Sequence, residues 1–98
     1  MATYVSLVNF TEKGAGDIKA TTERAEKFKA AAQRAGVTVK EVLWTMGAYD
    51  IVLILEGPDD KTMAAVLVNL ASLGNVKTQT MRGFNAAEMK EITSKTAK

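Results

Sequence analysis

The sequence predicts an α+β domain in which one four-stranded antiparallel sheet carries two helices on one face, with a short third helix at the end of the chain. Strand and helix patterns alternate as strand, helix, strand, strand, helix, strand. Two of those strands, residues 3–10 and 49–56, are apolar on both faces, which is typical of central strands. A chain of 98 residues forms one domain and not two, so residues 1–98 are treated as a single domain.

The first strand, residues 3–10, is followed by the first helix. Gly14 and Gly16 break the apolar pattern of the strand, and Asp17 is expected to cap the helix. The buried face of this helix is predicted from small and apolar residues at spacings of three and four: Ile18, Thr21, Ala25, Phe28, Ala32 and Ala35. Gly36 marks the end of the helix, because glycine adopts the left-handed conformation that such an end requires.

A pair of strands forms the middle of the chain. The second strand is predicted over residues 37–46 and the third over residues 49–56. Only Gly47 and Ala48 separate them, and so short a connection joins antiparallel neighbours. Residues 51–55 are all large and aliphatic, so the third strand is expected to be buried on both faces.

The second helix and the fourth strand complete this pattern. Asp59, flanked by Pro58 and Asp60, is expected to cap the helix. The buried stripe of the helix is predicted at Met63, Val66, Leu67, Leu70 and Leu73. Gly74 ends it. Residues 76–84 are much more polar than the other strands, which is typical of an edge strand.

A short helix is predicted after the fourth strand. Asn85 and Glu88 have the spacing of a capping box, and the helix carries Met89 and Ile92. Residues 94–98 are small, polar and basic, so we expect a frayed tail there.

The order of elements is that of the ferredoxin-like fold, in which two right-handed crossovers place both helices on one face of the sheet. The other face is then left uncovered, although both alternating sets of the third strand are aliphatic. An uncovered aliphatic face is typical of an interface. We therefore expect a homodimer whose sheets pack face to face, with the fourth strands and last helices at the seam. A hydrophobic groove for another ligand is the alternative.

Three segments of the sequence closely resemble the GYD domain family: residues 47–52, 58–60 and 74–80. The family takes its name from the glycine, tyrosine and aspartate that stand here as Gly47, Tyr49 and Asp50. The resemblance extends from residue 4 to about residue 88. It implies a ferredoxin-like domain of the dimeric α/β-barrel superfamily from a bacterium. It implies no catalytic residues.

The composition excludes several classes of function. The chain has no cysteine and no histidine, which rules out thiolate or imidazole metal sites and His- or Cys-dependent nucleophilic triads. A formal charge of +2, with the two signs interspersed, does not predict a nucleic-acid partner. The sequence shows neither a run long enough to span a membrane nor a signal peptide. We expect a cytoplasmic protein without a metal or an organic cofactor.

Asp50 is the candidate catalytic residue. It is a carboxylate at the entrance of a buried strand, where burial would raise its pKa and suit it to act as a general base or to anchor a ligand. The structural alternative is a turn residue whose oxygens accept amide hydrogen bonds around Gly47 and Ala48, and this role is the commoner one for aspartate.

Six side chains are candidate ligand-binding residues: Tyr4, Trp44, Tyr49, Asp50, Thr80 and Arg82. Structural roles explain each of them as well: core or interface aromatic rings, a turn aspartate, a threonine that favours strands, and a charge that protects an edge strand. We expect one pocket near Trp44, Tyr49, Asp50 and Arg82 that accepts a small apolar or aromatic molecule.

Three functions follow from these observations. The leading one is a homo-oligomeric module that binds a small molecule or has a regulatory role. Similarity to the dimeric-barrel superfamily permits a second, a cofactor-independent monooxygenase, isomerase or lyase with Asp50 as the base, although a fold does not fix a function. The third is a purely structural subunit of an assembly. Whether the protein is an enzyme is left open at this stage.

Overall fold

The computed structural model describes residues 1–97, and Lys98 at the end of the predicted tail lies outside the described residues. Four strands form one sheet: β1 (Ala2–Phe10), β2 (Thr38–Trp44), β3 (Ile51–Gly57) and β4 (Val76–Gly83). Four α-helices accompany them: α1 (Glu12–Gly16), α2 (Thr21–Arg34), α3 (Asp60–Ser72) and α4 (Ala86–Ser94), and a single 3-10 turn (Ile18–Ala20) joins α1 to α2. Among helices in the described residues, none is long and apolar enough to cross a bilayer.

The strand order in the sheet is β2-β3-β1-β4, and all three pairings are antiparallel. This order confirms the ferredoxin-like prediction that the first and third strands are central and that the polar fourth strand lies at an edge. The physical signal was the apolar character of both faces of β1 and β3, because strands in the middle of a sheet lie furthest from solvent when layers pack on its faces.

The hydrophobic core lies between the sheet and α2 and α3. Along β3 the side chains alternate, with Ile51, Leu53 and Leu55 buried and Val52 and Ile54 only half-buried on the opposite face. The core residues are Tyr4, Val8, Ala32, Val37, Ile51, Leu53, Leu55, Met63, Val66 and Val76. The helices therefore cover one face of the sheet and leave the other face open within the monomer.

The capping residues predicted at the later helices are confirmed. The Asp59 carboxylate accepts a hydrogen bond from the Thr62 backbone N–H at 2.8 Å, and this bond holds the pKa of Asp59 below its ordinary value of 3.8. Asn85 and Glu88 form a reciprocal capping box at the start of α4. Gly36 and Gly74 have φ angles of +89° and +81°, which explains why glycine ends both long helices.

The prediction for residues 11–17 is wrong. Gly14 and Gly16 do not interrupt the structure but lie in the short helix α1, whose N-cap is Thr11. Asp17 makes no capping hydrogen bond with its side chain. The reason for Gly14 is close packing, because a Cβ atom there would stand 2.0 Å from the Asn75 carbonyl oxygen. A contact with a residue distant in sequence leaves no local pattern, so the sequence indicates only a break in the strand pattern at the two glycines.

Two boundaries also differ from the sequence prediction. β2 ends at Trp44 and β3 begins at Ile51, so the connection spans residues 45–50 rather than two residues, with Gly47 at a φ of +126°. On α3, Leu73 does not belong to the buried stripe, since its side chain is 60% exposed. The helix reaches its last turn there and no longer lies over the sheet.

Candidate functional site

Tyr4, Thr80 and Arg82 lie together at one end of the sheet, on the helix-covered face. The Tyr4 hydroxyl donates a hydrogen bond to the Asp60 carboxylate at the start of α3, and the Arg82 guanidinium lies 5.7 Å from the Tyr4 ring centre. The hydrogen bond to Asp60, with desolvation as the second cause, raises the pKa of Tyr4 above its ordinary value of 10.0. Tyr4 therefore stays protonated at neutral pH and ties β1 to α3.

Thr80 and Arg82 are also engaged within this end of the sheet. The Thr80 and Ser6 hydroxyls are 2.9 Å apart, which satisfies the fully buried serine. Arg82 stacks on the Phe84 ring with 4.6 Å to its centre and lies 3.7 Å from the Glu88 carboxylate. This guanidinium holds the start of α4 against the end of β4.

Asp50, Tyr49 and Trp44 lie at the opposite end of the sheet, around the β2–β3 connection. The Asp50 carboxylate accepts a hydrogen bond from the Phe10 backbone N–H at 2.8 Å and a longer one from the Asn9 side chain at 3.4 Å. Its own backbone N–H donates to the Val8 carbonyl oxygen at 2.8 Å. Within the connection, the Asp50 carbonyl oxygen accepts a hydrogen bond from the Thr45 backbone N–H at 2.9 Å. The geometry fits a residue that fastens the connection to β1, since the partners of its carboxylate lie on β1.

The two aromatic residues of this end point to different faces of the sheet. The Trp44 Nε1–H donates to the Thr21 hydroxyl of α2 at 3.0 Å, which places the ring on the helix-covered side. The Tyr49 hydroxyl donates to Gln79 at 3.3 Å, and Gln79 lies on the uncovered side of β4.

The six candidates therefore do not share one pocket. Tyr4 and Phe10, which mark the two clusters, are six residues apart on β1, or about 20 Å along an extended strand. The prediction of a single pocket that joins Arg82 to Trp44, Tyr49 and Asp50 is wrong for this reason. The distance between the two clusters follows from the strand register, which could not be predicted from the sequence alone.

A concave site lies elsewhere, between α2 and α3. We call it the interhelical groove, a depression of about 1170 Å³ whose wall and floor residues include Phe28, Ala32, Val66, Leu70, Leu53 and Val76. α2 packs mainly on β2, and α3 packs on β3 and β4, so a gap is left over the middle of the sheet. The small alanine side chains of α2 keep this gap open. The sequence predicts which face of each helix is buried but not how far apart the two helices lie, so it does not predict the groove.

The uncovered side of the sheet is the second extended apolar surface. We call it the open face, and it consists of Val5, Leu7, Leu43, Val52, Ile54 and Met81. Leu43 and Met81 are 51% and 44% exposed. Side chains of this kind in one contiguous patch are typical of a protein interface.

Residues 1–97 contain no cluster of three or more carboxylate, histidine or cysteine side chains suited to hold a metal ion. The polar groups of the two candidate clusters are paired with each other or with the backbone. The two extended surfaces outside these clusters are the open face and the interhelical groove, and apolar side chains make up most of both.

These features define a small ferredoxin-like α+β module with two apolar surfaces. The chain belongs to the GYD domain family, whose model matches residues 4–93. It is 32% identical over 90 residues to a protein from Thermus thermophilus named glutamine synthetase and cystathionine beta-lyase binding protein, a match that covers 91% of this chain and 95% of the relative.

A solved structure supports the fold independently. The crystal structure of TTHA0845 from Thermus thermophilus aligns with a TM-score of 0.58 at 24% identity and covers 88% of this chain and 96% of that one. At this level of identity the likeness establishes the fold and nothing about activity.

Proposed function

We propose that this protein is a small homo-oligomeric regulatory module that binds enzymes. Family membership and the relative's name support a binding or regulatory module. The observation that carries the proposal is the similarity, over nearly the full length of both chains, to a protein named for binding two enzymes. The proposal treats residues 1–98 as one domain and assigns it to the cytoplasm.

The open face supports self-association as part of this function. Val5, Leu7, Val52 and Ile54 are half-buried in the monomer and form a continuous aliphatic surface flanked by Leu43 and Met81. A second copy of the same face covers it with side chains of the same kind, as in the sheet-to-sheet packing of dimeric α/β barrels. The dimer would then present two copies of the helical side outward.

The oligomeric state is tested by sedimentation velocity at micromolar concentration with two matched variants. Leu43→Glu places a charge in the open face, and Val68→Glu places the same charge on the outer surface of α3, where Val68 is 68% exposed. We expect wild type and Val68→Glu to sediment as dimers and Leu43→Glu as a monomer. A monomeric wild type would contradict the dimer.

Enzyme binding is tested with the purified glutamine synthetase and cystathionine β-lyase encoded in the same genome. Immobilised wild-type protein should bind at least one of them with a dissociation constant in the micromolar range or tighter. The catalytic rate of the bound enzyme, measured with and without the module, separates regulation from simple attachment. Absence of binding to both enzymes would contradict the proposed function.

A further inference from the structure

The side of the protein that carries α3 is unusual for an exposed helical surface. Residues 61–87, which include all but the first residue of α3, contain no aspartate or glutamate. Val68 and Leu73 are 68% and 60% exposed and line the interhelical groove, and Ala64, Ala65 and Ala71 are further exposed apolar positions of the helix. A surface helix ordinarily presents charged residues to solvent. This exposed face borders the groove and carries few charges for a surface helix.

The interhelical groove has a volume comparable to that of a short helical segment. A helix of ten residues is about 15 Å long and about 10 Å across with its side chains, so it occupies about 1200 Å³. The groove volume is about 1170 Å³. Drug-sized molecules occupy pockets of about 300–1000 Å³. A helix laid between α2 and α3 would complete a three-helix layer over the sheet.

The charges along the groove are all positive. The charged residues that line it are Lys13, Arg24, Lys27 and Arg34, and no carboxylate lines it. Arg24 lies 3.7 Å from the Asp17 carboxylate, and the Lys13 ammonium donates to the Leu73 carbonyl oxygen at 2.9 Å. Within residues 1–97, Lys27 and Arg34 have no carboxylate at ion-pair distance.

The spacing of these cations favours an extended partner. The two cations without an ion-pair partner, Lys27 and Arg34, are seven positions apart on α2, which is about 10 Å along a helix. A ligand with one anionic head group would meet only one end of this row. A helix with acidic residues at successive turns would meet all of it, while its apolar stripe faced Leu53 and Val76 on the floor.

We propose that the interhelical groove docks an amphipathic helix with an acidic flank, supplied by the partner enzyme. This inference rests on the proposed function and adds where the partner binds and which chemistry on the partner is recognised. Binding in this mode is the helix-in-groove type, with apolar anchors for affinity and charges for orientation.

The helix α4 of a second copy is a weaker occupant. None of its nine residues is buried, and Met89 is 48% exposed. Its charges are mixed, however: Lys90 and Lys95 accompany Glu88 and Glu91. Two lysines would face a groove that is already basic.

The test measures binding of labelled synthetic helical peptides to the full-length protein. The acidic peptide has leucines at positions i, i+3, i+4 and i+7 with glutamates beside them, and its twin carries lysines in place of the glutamates. The double variant Lys27→Glu with Arg34→Glu reverses two cations of the groove. The control, Lys19→Glu with Lys29→Glu, makes the same charge change outside the groove.

We expect the acidic peptide to bind wild type and the control alike, and the groove variant to bind it about tenfold more weakly. Equal affinity of the basic twin, or an unchanged affinity of the groove variant, would overturn the proposal. Tighter binding of a peptide of residues 85–97 would assign the groove to a second copy, and binding of laurate without binding of the acidic peptide would assign it to a lipid-like ligand.

The same variants, applied to the purified enzymes, separate this inference from the proposed function. If the wild type binds an enzyme and the groove variant loses that binding while the control keeps it, the results support both the proposed function and the docking site. If both variants still bind the enzyme, the docking site is wrong but the function stands. If the wild type binds neither enzyme, the proposed function is wrong, and the peptide experiment alone decides whether the groove accepts an acidic helix.

Discussion

At the scale of single residues, Asp50 fastens the β2–β3 connection to β1 through the Phe10 backbone N–H at 2.8 Å. Asp50→Ala would leave that donor without its acceptor, at a cost of about 1–3 kcal/mol in the free energy of unfolding. Asp50→Asn keeps one oxygen in place and should cost less. Urea unfolding of both variants measures the difference. An alanine variant as stable as wild type would show that the hydrogen bond is not structural.

Tyr4 makes the free energy of unfolding depend on pH in the alkaline range. Its pKa is raised in the folded protein by the hydrogen bond to Asp60, so its contribution to stability is complete below pH 10.0 and is lost as the pH rises through the folded-state pKa. Tyr4→Phe lacks this contribution at every pH. The gap between the urea midpoints of wild type and Tyr4→Phe should therefore narrow above pH 10, and a constant gap would contradict the assignment.

At the scale of elements, α1 packs closely against the residue that precedes β4, because Gly14 has no side chain. Gly14→Ala would place a Cβ atom 2.0 Å from the Asn75 carbonyl oxygen, and relieving that clash should cost about 1–3 kcal/mol. Gly16→Ala is the matched control, since nothing lies within 4 Å of its Cβ position. Thermal unfolding should show a lower midpoint for the first variant only. Equal midpoints would refute the close packing of α1.

The elements that local patterns specify were predictable from the sequence. The central strands were recognised from apolar residues on both faces, and the caps at Asp59 and Asn85 from residue types that bond backbone N–H groups. The short helix α1 was not recognised, because the reason for Gly14 is a contact with Asn75 some sixty residues away. The pairing of Asp50 with Phe10 was missed for the same reason.

The candidate site was less predictable than the fold. Sequence patterns proposed Tyr4 and Asp50 by residue type, but their separation depends on strand register, which sets them at opposite ends of the sheet. The interhelical groove depends on how far apart two helices lie over the sheet. That distance is a property of packing, and periodicity indicates only which face of each helix is buried.

At the scale of the whole molecule, the protein has two apolar surfaces on opposite sides of one sheet. The open face is suited to a second copy, and the interhelical groove to another protein. Because the two surfaces do not overlap, the proposed dimer would leave both grooves accessible. Two grooves in one dimer would bind a symmetric oligomeric enzyme with the added strength of two linked contacts.

The central claim is that this protein binds an enzyme as a dimer. The most direct measurement is sedimentation velocity of the fluorescently labelled protein, alone and with the purified glutamine synthetase and cystathionine β-lyase of the same genome. We predict that the labelled protein alone sediments as a dimer. In the mixture, we predict that the label sediments together with at least one of the enzymes. A label that sediments as a monomer, unchanged by either enzyme, would contradict the claim.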